Sequence, residues 1–228
     1  MLSRFLSLQH TFEQLQLKLR GMPEPQPLLQ LWQAMPNRYS QPWHHYNYLC
    51  VDLEFSNLDS AKGDLLSIGW IGINAGKLQL RTARHCLVQN RSSVGQSASI
   101  HYIRDSDAAQ GLSVKRALRL FLHACNGKIL IFHHARVDLS YLNKICKKLY
   151  GCRLCLPYCD TLALEKKRLK RSHELIPQGD LRLQACRDRY QLPPYPAHHA
   201  LVDAMASGEL FLAQLAQKND DIALRDLT

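Results

Sequence analysis

The chain has 228 residues, 46% of them hydrophobic, which is enough for a well-filled core and excludes a wholly disordered polymer. Lys and Arg outnumber Asp and Glu by 29 to 19, a formal net charge of +10. A balance that basic points to a polyanionic partner, and no run reaches the roughly 18 to 20 apolar residues of a membrane helix.

Residues 1 to 45 read as a helical extension. In "LSRFLSLQHTFEQLQLKLRG", Phe5, Leu8, Phe12, Leu15 and Leu19 recur at helical spacing, and Gly21 closes the helix. The segment has no continuous apolar run and no small-residue cleavage site, so it is not a secretory signal and a cytoplasmic protein is expected. "MPEPQP" breaks the pattern, "LLQLWQAM" is a second short helix, and "PNRYSQPW" is a loop. This extension is where a protein partner or self-association is expected.

From Tyr46 the pattern becomes α/β. Residues 48 to 55 form a strand, "LLSIGWIGI" a second and "LQLRTARHCLV" a third, joined by an "NAGK" turn in which Asn74 and Gly76 are suited to positive φ. Three consecutive strands make an antiparallel meander. A helix over "SVKRALRLFLHACNG" stops at Gly127, strand "KILIFHH" follows, and "DLSYLNKICKKLYG" is an amphipathic helix ended by Gly151. A short strand near 153 to 157 leads to "DTLALEKKRLKR". A helix capped by Asp180 and a long last helix over "ALVDAMASGELFLAQLAQ" complete the chain, with a polar tail from 219 to 228. The expectation is a mixed sheet with helices on its faces and one domain over residues 46 to 218.

Eight cysteines without a secretory signal argue against a disulfide framework. "CRLCLPYC" places Cys152, Cys155 and Cys159 at a spacing that Cys146 or His173 would complete as a metal site, but a second short-spaced pair is missing. The other cysteines read as small apolar residues.

The first strand holds the chemical puzzle. In "CVDLEFSNL", alternation sets Cys50, Asp52 and Glu54 on one face. Two neighbouring carboxylates raise each other's pKa, and a hard divalent cation resolves that conflict through oxygen ligands. Taken alone, "DLE" also fits a solvent-facing strand. Two further acids change the balance. Asp138 follows strand "ILIFHH" in a strand-to-helix turn, and Asp203 opens the last helix among Ala and Leu residues. His198 lies five residues before Asp203.

This set resembles the DnaQ-like 3′–5′ exonucleases of the DEDD superfamily, the branch with a catalytic histidine. "VDLEFSNL" is similar to the family's D-x-E-T-T-G-L, "FHHARVDLSYL" to H-N-A-x-F-D-x-x-F-L, and "AHHALVDA" to A-H-x-A-L-x-D-A. "IHYI" and "YCDTLAL" resemble its H-G-I and D-T-L elements. The five lie in order over residues 47 to 215. The resemblance implies a ribonuclease-H-like fold with a five-stranded mixed sheet, its first three strands antiparallel. It also implies that Asp52, Glu54, Asp138 and Asp203 hold two Mg²⁺ or Mn²⁺ ions. His198 would be the general base, since histidine titrates near neutral pH, with His199 beside it solvent-facing or structural. The implied substrate is single-stranded nucleic acid with a free 3′ end, cut to nucleoside 5′-monophosphates. DNA is expected, in repair, by a standalone enzyme or one docked through residues 1 to 45; RNA, or a binding module without catalysis, is the alternative.

The departures fall around the terminal nucleotide. The family's T-T-G is Phe55, Ser56 and Asn57, its motif Asn is His134, and the H-G-I glycine is Tyr102. Phe55, Ser56, Leu58, His101 and His134 are therefore the expected substrate-binding residues. The run Lys166, Lys167, Arg168, Lys170 and Arg171 is expected to contact the nucleic-acid backbone from the same half of the domain as the acids.

Overall fold

The computed structural model describes residues 2–36, 38–57, 59–89, 111–171, 175–218 and 221–227. Helices α1 (Leu2–Leu19) and α2 (Gln26–Ala34) precede the sheet. Strands β1 (Tyr48–Phe55), β2 (Leu65–Asn74) and β3 (Lys77–Leu87) form the antiparallel meander. Helix α3 (Val114–Cys125), strand β4 (Ile129–Phe132), helix α4 (Ala135–Tyr150) and strand β5 (Tyr158–Asp160) follow. Three helices end the series: α5 (Thr161–Leu169), α6 (Leu183–Asp188) and α7 (Ala200–Ala216). Strands β4 and β5 join β1 in parallel, giving the order β3-β2-β1-β4-β5. This is the expected ribonuclease-H-like mixed sheet with flanking helices.

β1 is the central strand. Seven of its eight residues are buried, so its two acids are the exception in an apolar run. Alternate residues feed two cores. Val51 and Leu53, with Ile68 and Trp70 from β2, pack with Leu118 and Phe121 of α3. Tyr48 and Cys50, with Ile71 and Ile131, pack with Phe211 and Leu215 of α7. Two glycines let α7 press onto the sheet. A Cβ at Gly69 would sit 2.2 Å from the Ala200 carbonyl carbon, and one at Gly208 would sit 2.7 Å from Cys50 Sγ. Gly69 is also the β2 partner of Asp52. The start of α7 is therefore fixed beside the acidic face of β1.

Several elements differ from expectation for local reasons. The hairpin residues with positive φ are Ala75 (47°) and Gly76 (69°), not Asn74, because Asn74 pairs with Lys77 and leaves a two-residue loop. The strand expected at 153 to 157 falls at Tyr158–Asp160. The Arg153 and Leu154 amides are taken by the side chains of Glu13 and Asn143, which leaves them out of a ladder. Asp180 does not cap α6, whose N-cap is Arg182; its carboxylate lies 3.1 Å from Arg189 instead.

The extension shares the first core. Leu28, Leu31 and Trp32 of α2 are buried there, and the Trp32 indole donates to Leu154 O at 2.8 Å. The apolar stripe of α1 is not what docks it: Phe5, Leu8, Phe12, Leu15 and Leu19 are exposed, while Leu6, Glu13 and Leu17 are buried. The tail is not wholly polar either. Leu224 and Leu227 are buried, and the Ile222 carbonyl accepts from Trp43 N–H.

Cys152 packs in the first core and Cys159 in the second, on the other face of the sheet. The cluster therefore does not assemble as a metal site, and His173 lies outside the described residues. Burial pushes the Cys155 thiol up to about 11, far from thiolate chemistry at neutral pH. Among the described residues no helix is long and apolar enough to cross a membrane.

Candidate active site

β1 and β4 pair only from Tyr48–Cys50 to Ile129–Ile131. Beyond that the strands part, and the Leu53 N–H donates across the gap to Asp138 Oδ1 at 3.2 Å. Asp138 sits in the first turn of α4 and is almost fully buried. On the α7 side, oxygens of Asp52, Glu54 and Asp203 lie within 4.8 Å of one another. Asp203 Oδ2 accepts the backbone N–H of His198 at 2.8 Å, and the Asp203 N–H donates to His199 O. His198 itself takes a left-handed φ of 67° at the tip of an exposed loop. The structure thus gathers the four acids from β1, α4 and α7, with His198 at their edge.

Burial pushes the Asp52 carboxyl well above the usual carboxylate range, and Asp138, Glu54 and Asp203 add to the push. Burial also raises Asp138 well above the usual range, against the Leu53 amide that favours its charged form. Asp203 is raised too, again by burial first. Acids held this close can serve as ligands for a hard divalent cation. The residues fit Mg²⁺ or Mn²⁺, which take oxygen ligands from a few carboxylates.

His199 is structural. Its ring packs on His85 of β3, centroids 4.3 Å apart. Burial, then His199, pulls the His85 imidazole down to about 4. His133 is also taken up internally, with Nδ1 2.8 Å from Thr161 Oγ1 and Nε2 2.9 Å from Leu181 O. His134 is exposed, with a φ of 76°, at the N-cap of α4. His and Asn are the larger residues that best tolerate that conformation.

The residues after Glu54 are held by α4. Phe55 is buried and stacks on Tyr141, centroids 3.8 Å apart. The Tyr141 hydroxyl donates to Asn57 O, and Lys144 Nζ donates to Ser60 O and Gly63 O. Ser56 Oγ accepts from the Asp64 amide at 2.9 Å. Phe55 is thus spoken for by Tyr141, while His134 and Ser56 stay at the surface of the site. Leu58 and His101 lie outside the described residues.

Sequence reasoning missed Tyr141 and Lys144, whose partners lie about 80 residues away. It also missed Asp160, which caps two helices at once. Its oxygens accept from His134 and Ala135 at the start of α4, and Oδ1 accepts from Leu162 at the start of α5. An Asp just before a helical run is an N-cap signal, and that signal was available for α5.

The basic run is not where it was expected. Lys218, beyond the C-terminus of α7, feels Lys167 and Arg171. Thirteen helical rises separate Asp203 from Ala216, the last residue of α7, about 20 Å. The run therefore lies at the opposite end of α7 from the acids, because α5 runs back from the carboxyl edge of the sheet. Arg168 is also tied to buried Glu165 at 2.6 Å.

A mixed β3-β2-β1-β4-β5 sheet with clustered acids at the open end of its central strand defines a ribonuclease-H-like nuclease. Residues 49–211 match the exonuclease family RNase_T. The chain belongs to that family. It is 28% identical over 176 residues to a PolC-type DNA polymerase III of Thermotoga petrophila, and 29% identical over 167 residues to that of Thermotoga maritima. These alignments cover 76% and 72% of this chain but only 12% of either relative. Among solved structures, the nuclease domain of 3′hExo, a DEDDh family member bound to rAMP, superposes with a TM-score of 0.63 at 11% identity, covering 78% of this chain and 95% of that one. Exonuclease X in complex with 5′ overhanging duplex DNA gives 0.55 at 18% identity, covering 75% and 92%.

Proposed function

We propose that this chain is a two-metal-ion exonuclease that removes nucleoside 5′-monophosphates from the 3′ end of single-stranded DNA. The observation that carries this is the meeting of Asp52, Glu54 and Asp203 oxygens within 4.8 Å, with Asp138 adding to their mutual repulsion. Asp52, Glu54, Asp138 and Asp203 would hold the cations. Bound divalent cations supply Lewis-acid stabilisation of the phosphoryl group and of the attacking and leaving oxygens.

The chain's own groups have separate tasks in this reading. Asp52 and Glu54 project from a rigid central strand, so their spacing is set by backbone geometry. Asp203 couples the acids to the histidine loop, because its carboxylate holds the His198 amide. His198, exposed at that loop, takes the proton from the attacking water at its imidazole. Ser56 and His134 border the site where a terminal nucleotide is to be held. The catalytic unit is residues 46–218, with 1–45 docked on it.

DNA is favoured because the curated relatives quoted above are DNA polymerases. RNA is the second reading, supported by the rAMP bound to the 3′hExo domain of like fold. The deciding experiment is digestion of matched, end-labelled DNA and RNA oligonucleotides with Mg²⁺ or Mn²⁺ and with EDTA. The expected result is stepwise shortening of DNA from its 3′-hydroxyl end, abolished by EDTA and by His198→Ala. Preferential RNA trimming would move the assignment to the second reading, and no cleavage of either polymer would overturn both.

A further inference from the structure

Helix α1 is attached to the body by its more polar side. The Glu13 carboxylate accepts from the Arg153 amide at 3.0 Å and from Arg153 Nε at 2.5 Å. His10 Nε2 lies 2.8 Å from Cys155 O, and its ring stacks on Trp32 at 4.6 Å. Leu6 and Leu17 complete the contact. The opposite side carries Phe5, Leu8, Phe12, Leu15 and Leu19, each 51% to 73% exposed. These five are half of the ten exposed large hydrophobic side chains among the described residues, and the other five are not on this helix. An apolar group of that density marks an interaction surface.

The spacing says what kind. The five positions advance by three, four, three and four residues, a mean of 3.5. That is the a/d repeat of a coiled-coil seam, narrower than the stripe of a helix that packs on a globular core. Its borders are Gln9 and Gln16 on one side and Arg4, Thr11 and Lys18 on the other. An anionic membrane surface matches poorly, because only Arg4 and Lys18 among these border residues are basic and one whole side is uncharged. A helix with the same 3.5 repeat matches well, and α1 is itself such a helix. The largely uncharged borders put no row of like charges across a seam formed by two copies.

We propose that α1 is a dimerisation helix, pairing with α1 of a second copy of this chain through Phe5, Leu8, Phe12, Leu15 and Leu19. The five half-exposed side chains offer on the order of 600 Å² per chain. Pairing two copies then buries roughly 1,200 Å², the lower bound of a specific, stable interface. The contact is isologous and closes at two copies. α1 rests on residues 153–155, ahead of β5 and at the amino end of the parallel strands. The acids lie at the carboxyl end, so both candidate active sites stay open in the dimer.

Sedimentation velocity of the full chain across micromolar concentrations tests this. Wild type is expected to reach twice the mass of one chain. The double variant Leu8→Glu, Leu15→Glu is expected to stay at single mass with an unchanged circular dichroism spectrum. Mixing it with Leu8→Lys, Leu15→Lys is expected to restore double mass, an outcome that misfolded variants would not produce. A wild type of single mass at 100 µM overturns the proposal, including one that co-sediments with anionic vesicles. So does a Glu variant that remains dimeric.

Discussion

Two acidic places in this molecule, one on α5 and one on β1, are treated differently by the chain. Glu165 on α5 is fully buried, and burial works against its charge. Yet Arg168 at 2.6 Å, the Tyr190 hydroxyl at 2.9 Å and Gln214 outweigh that and hold its carboxyl below the usual range. Asp52 is half-buried, but beyond burial the neighbours that act on it are Asp138, Glu54 and Asp203. The first place is complete within the chain. At the second, the chain concentrates acidic groups on and beside its central strand. A fold that satisfies Glu165 so fully leaves Asp52 raised, and in the proposed reading its counter-charge is the bound cation.

The sharpest way to break this contrast is Asp52→Asn. Cleavage of a labelled oligonucleotide is expected to fall by about 1,000-fold or more, as for loss of a principal electrostatic group in a site. The metal-free variant should melt no lower than wild type, since one repelling charge is gone. Next in size is the cation itself. Mg²⁺ at a hundredfold excess over its Kd should stabilise wild type by about 2.7 kcal/mol and leave Asp52→Asn with much less.

The pH dependence carries the sign of the contrast. Asp52, Asp138 and Asp203 have raised folded pKa values. Metal-free stability from them is therefore greatest below the ordinary carboxyl range and falls as pH rises through the raised values. Glu165, with a lowered value, contributes stability above that range and loses it as pH falls through its folded value. Thermal melts from pH 4 to 8, with and without Mg²⁺, should show the cation's benefit growing with pH.

Glu165→Ala should cost about 2 kcal/mol, less than a fully buried pair because Arg168 stays 42% exposed. For a chain of this size that lowers the melting temperature by roughly 4 to 8 °C. Metal-dependent cleavage should persist below that melt. The smallest effect is expected at the remote basic run. Replacing Lys166, Lys167, Lys170 and Arg171 by Gln should reduce the salt slope for binding long single strands by about 0.7 per lost contact. Turnover of a trinucleotide, too short to reach from the acids to the run, should not change.

The meander, the first βα unit and the four acids of the proposed set were legible in the sequence, and the resemblance added His198. Their signals are local: alternation in β1, a turn before α4, an Asp in the first turns of α7. What was not legible depends on partners far along the chain. Asp160 caps α4 from 26 residues away, and Tyr141 and Lys144 of α4 hold a loop more than 80 residues earlier. The stripe of α1 was read correctly as a helix signal. Periodicity says nothing of which face docks, and here Glu13 and His10 won the inner side. The basic run, which follows the D-T-L element, was expected in the same half of the domain as the acids; the direction of α5 carries it away.

The central claim is that the acids of β1, α4 and α7 form one cation site. Mn²⁺ binding followed by electron paramagnetic resonance tests it without reference to activity. Wild-type protein is expected to quench the signal of free Mn²⁺ at stoichiometric levels, and Asp52→Asn to leave it nearly intact while remaining folded. Equal Mn²⁺ uptake by the two proteins, or none by wild type, would contradict the account.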